Sequence, residues 1–215
     1  MTGETNNRKG LPFRFLLITD RELAGEKWVE KVAMAVAAGV RAIQLREKDL
    51  SSAGLLQAGL QLQNRLLLYP VHFFINSRVE VAKALKWHLH LPESGTPVPE
   101  ARERLGPKVW IGASTHSIDQ AQQAQAQGVD YILFGPVFET PSKKMFGPPQ
   151  GLTKLAEVAR QISIPIFAVG GITPERASEC IQNGAYGVAA ISAVLGVSDI
   201  AAAVTAFRAN MKEGL

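Results

Sequence analysis

The chain holds one cysteine, Cys180, in 215 residues. One thiol closes no internal disulfide, so the stability must come from a core, and a reducing cytosol is the expected compartment. No apolar run reaches the roughly 20 residues a membrane-spanning helix needs. Residues 1–10 are polar and lack the apolar stretch of a secretory signal, so they read as a loose tail. There is no block rich in lysine and arginine and no low-complexity linker. With a net charge of +4 this argues against a nucleic-acid partner and points instead to small anionic ligands. The four histidines and one cysteine show no zinc spacing. No Gly-x-Ser-x-Gly elbow is present, so covalent catalysis through serine has no support.

What is present is an alternation. Short runs rich in Ile, Val, Leu and Phe read as buried parallel strands: 13–19, 42–46, 72–76, 87–91, 109–113, 131–134, 165–169 and 187–191. Between them lie stretches of helical period: 25–38, 53–68, 78–85, 99–105, 118–127, 151–162, 174–183 and 199–212. Thr173-Pro174 has the form of an N-cap followed by proline in the first turn. Gly39, Gly128 and Gly184 stand where left-handed C-caps belong. Eight strand–helix pairs in so short a chain predict a single α/β domain over 11–215, a (β/α)8 TIM barrel. An open doubly wound sheet is the alternative.

In such a barrel the ligand site is built from the loops that leave the carboxyl ends of the strands. The end of strand two reads Gln44-Leu45-Arg46-Glu47-Lys48, and alternate residues of an extended segment share a side. Gln44, Arg46 and Lys48 are therefore expected to face the mouth together, where the cations serve an anion or pair with Glu47, Asp49 and Glu139. Asn76 closes strand three, Ser114 to Ser117 strand five, and Thr140-Pro141-Ser142-Lys143-Lys144 the loop after strand six. Gly170-Gly171 before a helix reads as a tight turn or as a phosphate loop with free amides. Ile191-Ser192 at the end of strand eight would supply further donors. His116 faces the site or belongs to the next helix cap. His72, His88 and His90 read as packing residues.

Taken in order, Ile43 to Lys48, Ile75 to Val79, Gly112 to Ser117, Gly135 to Phe138 with Thr140 to Lys144, Gly170 to Pro174, and Gly187 through Ser192 resemble thiamin phosphate synthase and its sister group, the TenI-like thiazole tautomerases. The resemblance implies a transferase that joins hydroxymethylpyrimidine diphosphate to thiazole phosphate and releases pyrophosphate. It assigns Arg46, Lys48, Ser114 and Lys143 to catalysis. Gln44, Glu47, Asn76, His116, Thr140, Ser142, Gly170, Gly171, Ile191 and Ser192 would bind substrate. Within these, Gln44, Arg46, Lys48, Asn76 and Lys143 would hold the pyrimidine diphosphate, Ser114 would lie against the pyrimidine, and Gly171, Ile191 and Ser192 would grip the thiazole phosphate. The synthases hold Mg²⁺ with two aspartates. Ser77 and Gly95 occupy those positions here, so Mg²⁺ is expected to be held weakly, with Glu93 as a neighbouring carboxylate. The tautomerases carry a histidine where this chain has Pro136. A tautomerase and a non-catalytic binder of a thiamin intermediate are therefore the alternatives to the transferase. A homo-oligomer is left open, since barrels often associate through their outer helices.

Overall fold

The computed structural model describes residues 10–140 and 148–211. The strands are β1 (Phe15–Ile18), β2 (Ala42–Leu45), β3 (His72–Asn76), β4 (His88–Leu91), β5 (Ile111–Thr115), β6 (Tyr131–Phe134), β7 (Ile166–Val169) and β8 (Gly187–Ala190). They pair in parallel in sequence order, and β8 returns to β1, so the sheet is a closed eight-stranded barrel. The outer helices are α2 (Trp28–Ala37), α3 (Ser52–Arg65), α4 (Val79–Leu85), α5 (Val98–Leu105), α6 (Ile118–Ala126), α7 (Gly151–Gln161), α8 (Pro174–Gln182) and α10 (Ile200–Asn210). Each falls where the periodicity predicts one. Two single-turn helices, α1 (Arg21–Ala24) and α9 (Ser192–Leu195), escape a reading by periodicity because four residues do not complete a pattern.

Alternation along the strands produces two cores. Leu17, Ile43, Ile75, Leu89, Ile132 and Val188 face outward and pack under Val32, Leu62, Leu155 and Phe207 of the helices. Leu16, Ile18, Ala42, Phe74, Tyr131, Leu133, Phe167 and Ala189 point inward and fill the barrel. Each large side chain so buried contributes about 1.5–3 kcal/mol. Leu11 and Phe13 plug the amino-terminal end, with Phe13 5.7 Å from Phe74 and 5.6 Å from Phe167, centroid to centroid. His72 and His88 join this floor beside Trp110, and His88 Nδ1 accepts from the Trp110 amide at 3.1 Å. These two histidines pack, as the sequence suggests.

Gly112 matters most to the interior. A Cβ on it would lie 2.1 Å from the Tyr131 ring. Only glycine leaves room for the tyrosine to cross the barrel and lift its hydroxyl toward the carboxyl ends. Helix α3 stops at Arg65, short of the expected Leu68. Leu66 is still buried and Tyr69 N–H turns back to the Leu66 carbonyl, while Leu67 and Leu68 are exposed. Pro70 disfavours helix at the residue before it. The tail expected over residues 1–10 lies, apart from Gly10, outside the described residues. Among the described residues no helix is long and apolar enough to cross a membrane.

Candidate active site

The inward positions at the carboxyl ends of β2 to β5 are polar, directly above an apolar interior. Gln44 from β2 donates through Nε2 to Asn76 Oδ1 of β3 at 3.1 Å. Gln44 is buried, yet its Oε1 has no hydrogen-bond partner among the described residues. A buried amide oxygen left unpaired is costly, on the order of 1–3 kcal/mol, so this atom calls for a donor from a ligand. Across the mouth, His90 Nε2 meets Ser114 Oγ at 2.9 Å and His90 Nδ1 meets the Tyr131 hydroxyl at 3.2 Å. Burial, and secondarily the charge of Arg46, push the His90 imidazole down to about 3, so it is neutral. A neutral ring has one donor and one acceptor nitrogen, and the two hydroxyls match them. Burial holds the Tyr131 phenol above its ordinary range. His90 therefore does more than pack. It fixes the orientation of Ser114, and the sequence signal that carries this is its inward register two residues after His88 on β4.

Arg46 leaves the end of β2 half-buried. Desolvation lowers its pKa, while Asp20 and Glu47 oppose the shift. Its amide donates to Thr19 Oγ1 at 3.0 Å, and Thr19 in turn donates to Glu47 Oε1 at 2.5 Å. Glu47 Oε2 accepts the Arg21 amide at 3.0 Å. Both Glu47 oxygens are thus occupied by the loop after β1. Burial raises its pKa; Thr19 and the Arg21 amide pull it back. Glu47, which the resemblance assigns to substrate binding, ties two strand ends together beneath Arg46. The extended segment that carries Gln44 and Arg46 ends before Lys48. The chain turns at Lys48, which is exposed.

On the opposite rim the loop after β6 runs beside the end of β7. Val137 N–H donates to Val169 O at 2.9 Å and Phe138 N–H to Gly170 O at 3.0 Å. In a trans peptide the carbonyl and the next amide point opposite ways. With Gly170 O turned toward β6, Gly171 N–H is directed toward the β8 side, where Ile191 leads into Ser192 at the start of α9. Gly170 and Gly171 have φ of +94° and +65°. A Cβ on Gly170 would sit 2.5 Å from Pro136 Cβ, and one on Gly171 2.6 Å from Glu139 O. The glycine pair therefore makes room for the neighbouring loop as well as freeing the amide, a second cause that the sequence alone does not reveal. Thr173 caps α8 by accepting the Arg176 amide at 3.4 Å.

His116 is held at the edge of the mouth. Its Nδ1 contacts the Gly135 carbonyl, and its Nε2 lies 3.7 Å from Glu93 Oε2. Glu93 Oε1 accepts Gln120 Nε2 at 2.5 Å. The helix cap is Ser117, whose hydroxyl accepts the Gln120 amide at 3.2 Å. Thr140 is described; Ser142 and Lys143 lie outside the described residues. The donor set does not suit Mg²⁺, which takes hard oxygens and usually one or two carboxylates. Ser77 sits in a left-handed turn with φ +67°, Gly95 offers no side chain, and Glu93 already has Gln120 and His116 on its two oxygens. Among the described residues no three His, Cys, Asp or Glu side chains gather into a metal site.

By fold, and by a polar ring at the strand ends, the chain is a (β/α)8 barrel of the kind that gathers its ligand site over its carboxyl face. The family follows from comparison with known proteins. A family model described as thiamine monophosphate synthase matches residues 15–194, and the chain belongs to that family. It is 40% identical over 192 residues to the thiamine-phosphate synthase of Roseiflexus castenholzii, covering 88% of this chain and 84% of that protein. It is 38% identical over 195 residues to the thiamine-phosphate synthase of Moorella thermoacetica, covering 90% and 93%. The solved thiamine phosphate pyrophosphorylase from Pyrococcus furiosus superposes with a TM-score of 0.83 at 34% identity, covering 93% of this chain and 95% of that one. A 3-hexulose-6-phosphate synthase at 16% identity and TM-score 0.72 shares the fold alone.

Proposed function

We propose that this protein is a transferase that joins hydroxymethylpyrimidine diphosphate to thiazole phosphate, forming thiamin phosphate and pyrophosphate. The observation that carries the reading is the Gln44 carbonyl oxygen, buried and unpaired beside Asn76. An aminopyrimidine supplies the N–H donor it lacks. Ser114, oriented by His90, then meets the ring from β5. Relatives of this family that cover most of the chain carry the synthase name.

The chemistry these residues serve is a substitution at the pyrimidine methylene carbon. The carbon–oxygen bond to the diphosphate breaks and pyrophosphate departs with the electron pair. The thiazole nitrogen then donates its lone pair to the same carbon, forming the carbon–nitrogen bond. Charge gathers on the leaving oxygen, so fixed cations nearby lower the barrier. Arg46, braced through Thr19 and Glu47, is such a cation, with Lys48 and Lys143 assigned beside it by the resemblance. Gly171, Ile191 and Ser192 hold the thiazole phosphate, which places the nitrogen opposite the departing group. An assay of the purified protein with both precursors, with and without Mg²⁺, tests this: thiamin phosphate and pyrophosphate should appear in equal amounts. If neither forms while the unaromatised thiazole carboxylate phosphate is converted, the tautomerase reading replaces it. If nothing is converted but thiazole phosphate binds, the protein is a binder.

A further inference from the structure

We infer that Arg176, on the outer helix α8, is a positioning residue that sets the thiazole-phosphate loop and locks it to the loop after β6. The inference rests on the phosphate reading of Gly171 and Ser192, and it adds a residue that no strand-end motif contains.

Arg176 Nη1 donates to the Gly171 carbonyl at 2.7 Å. The same guanidinium lies over the Phe138 ring, 4.7 Å from its centroid. One planar cation therefore touches both loops, with an in-plane hydrogen bond to one and a stacked face to the other, as guanidinium chemistry allows and an ammonium does not. The Gly171 carbonyl belongs to the peptide after the one whose amide faces β8. Fixing that carbonyl fixes ψ of Gly171, a glycine whose φ of +65° leaves many alternatives open. Gly170 is fixed on its other side, because its carbonyl accepts the Phe138 amide at 3.0 Å. Two consecutive peptides of the loop are thus pinned, one by backbone and one by Arg176. The loop is also packed tightly: a Cβ on Gly171 would lie 2.8 Å from Phe138 Cβ. Without Arg176 the peptide that follows the Gly171 amide is free to turn, so the loop presenting that amide keeps only its Phe138 hold, and the segment carrying Thr140 loses its backing.

Arg176 sits behind the loop and reaches the phosphate only through Gly171 and Phe138, so its loss should be selective. In the assay above, Arg176→Ala should raise KM for thiazole phosphate about tenfold, in line with losing a charge-assisted hydrogen bond, and leave KM for the pyrimidine diphosphate within about twofold. Isothermal titration with thiazole phosphate, and with inorganic phosphate as a simpler probe, should show the same weakening. Arg176→Lys should recover part of the loss. Phe138→Leu removes the stacked ring and leaves the cation, and should weaken the same substrate; the double variant should be no worse than about the Arg176→Ala single, since both act through one contact. Thermal unfolding of each variant, followed by circular dichroism, identifies any that fails to fold, and Arg176→Lys and Phe138→Leu then decide. Equal KM changes for both substrates, an unchanged Kd for thiazole phosphate, or additive effects of the two positions overturn the inference. Should the wild type bind but not convert its substrates, the transferase reading fails while the calorimetric ratio still judges Arg176.

Discussion

Replacing Tyr131 by phenylalanine removes one oxygen from the interior and tests how the site is held. The tyrosine is fully buried, its ring lies over Gly112, and its hydroxyl reaches His90 Nδ1 at 3.2 Å. Phenylalanine keeps the ring and its packing against Phe74 and Phe167, so no cavity larger than an oxygen opens. What changes is His90. The ring is buried and neutral, and with Nδ1 unpaired its tautomer is no longer specified. An imidazole nitrogen left unsatisfied costs about 1–3 kcal/mol, which for a domain of this size lowers Tm by roughly 2–12 °C. The functional effect should follow Ser114, because the free tautomer lets the Ser114 hydroxyl turn. The expected result is a fall of about tenfold in kcat/KM for the pyrimidine diphosphate, with KM for the thiazole phosphate within about twofold. Differential scanning calorimetry and steady-state kinetics on the same preparation give both numbers. Unchanged kinetics at a lowered Tm would show that the Tyr131 hydroxyl serves stability alone, and an unchanged Tm would refute the hydrogen-bond argument itself.

Two further outcomes are expected. The depressed imidazoles make stability fall in acid: His90 is held at about 3 and His88 at about 4, both below the free value of 6.5, chiefly by burial. Each folded ring is neutral where the unfolded one binds a proton, so their contribution is present above 6.5 and lost as pH falls toward those values. Urea unfolding followed across that range should show it, and His88→Asn should flatten part of the slope; an equal slope in the variant removes His88 from the account. Glu47→Gln should act oppositely. The folded Glu47 carboxyl is raised by burial, so its contribution is greatest below its ordinary value and declines as pH rises through the raised one. The glutamine lacks that decline. It also faces the Arg21 amide with a donor or breaks the Thr19 contact, so it should lower kcat through Arg46; a variant with wild-type kcat would show that the brace is dispensable.

How much of this is legible in the chain depends on the range of the interaction. The barrel is legible because strands buried on both faces write their apolar runs locally, and helix caps such as Thr173-Pro174 are local too. The β2 end is half legible. Alternation places Gln44 and Arg46, but it assumes an extended chain, and the turn at Lys48 ends it. The role of Glu47 is hidden, because its partners Thr19 and Arg21 come from another strand and only closure of the barrel brings them under it. A histidine in an apolar run looks like a packing residue, and His90 is no exception; its contacts, Ser114 and Tyr131, are 24 and 41 residues away. The glycine pair after β7 reads in the sequence as a phosphate loop with a free amide at Gly171. Ligand approach is only part of its cause, since Pro136 and Glu139 crowd the same atoms from a loop more than 30 residues earlier in the chain.

The two halves of the mouth are built by different means, and this bears on what each can do. On the β2 to β5 side, the proposed recognition is by side chains rooted in the barrel. Gln44, Asn76, His90 and Ser114 stand on strands whose registers are fixed by pairing with both neighbours. Their geometry can change only if a strand moves, which suits discrimination of one flat heterocycle by the pattern of its donors and acceptors. On the β6 to β8 side, the proposed recognition falls to backbone amides on loops, and a phosphate asks little of them beyond donors at the right distance. Such a loop needs an external clamp to keep its shape, and Arg176 with Phe138 supplies one from the helix layer. Among the described residues no three His, Cys, Asp or Glu side chains gather to hold a divalent cation, so on the proposed reading the anionic groups of the substrates are met by these amides and by Arg46. The net charge of +4 is in keeping with a mouth that attracts two phosphorylated molecules before it joins them.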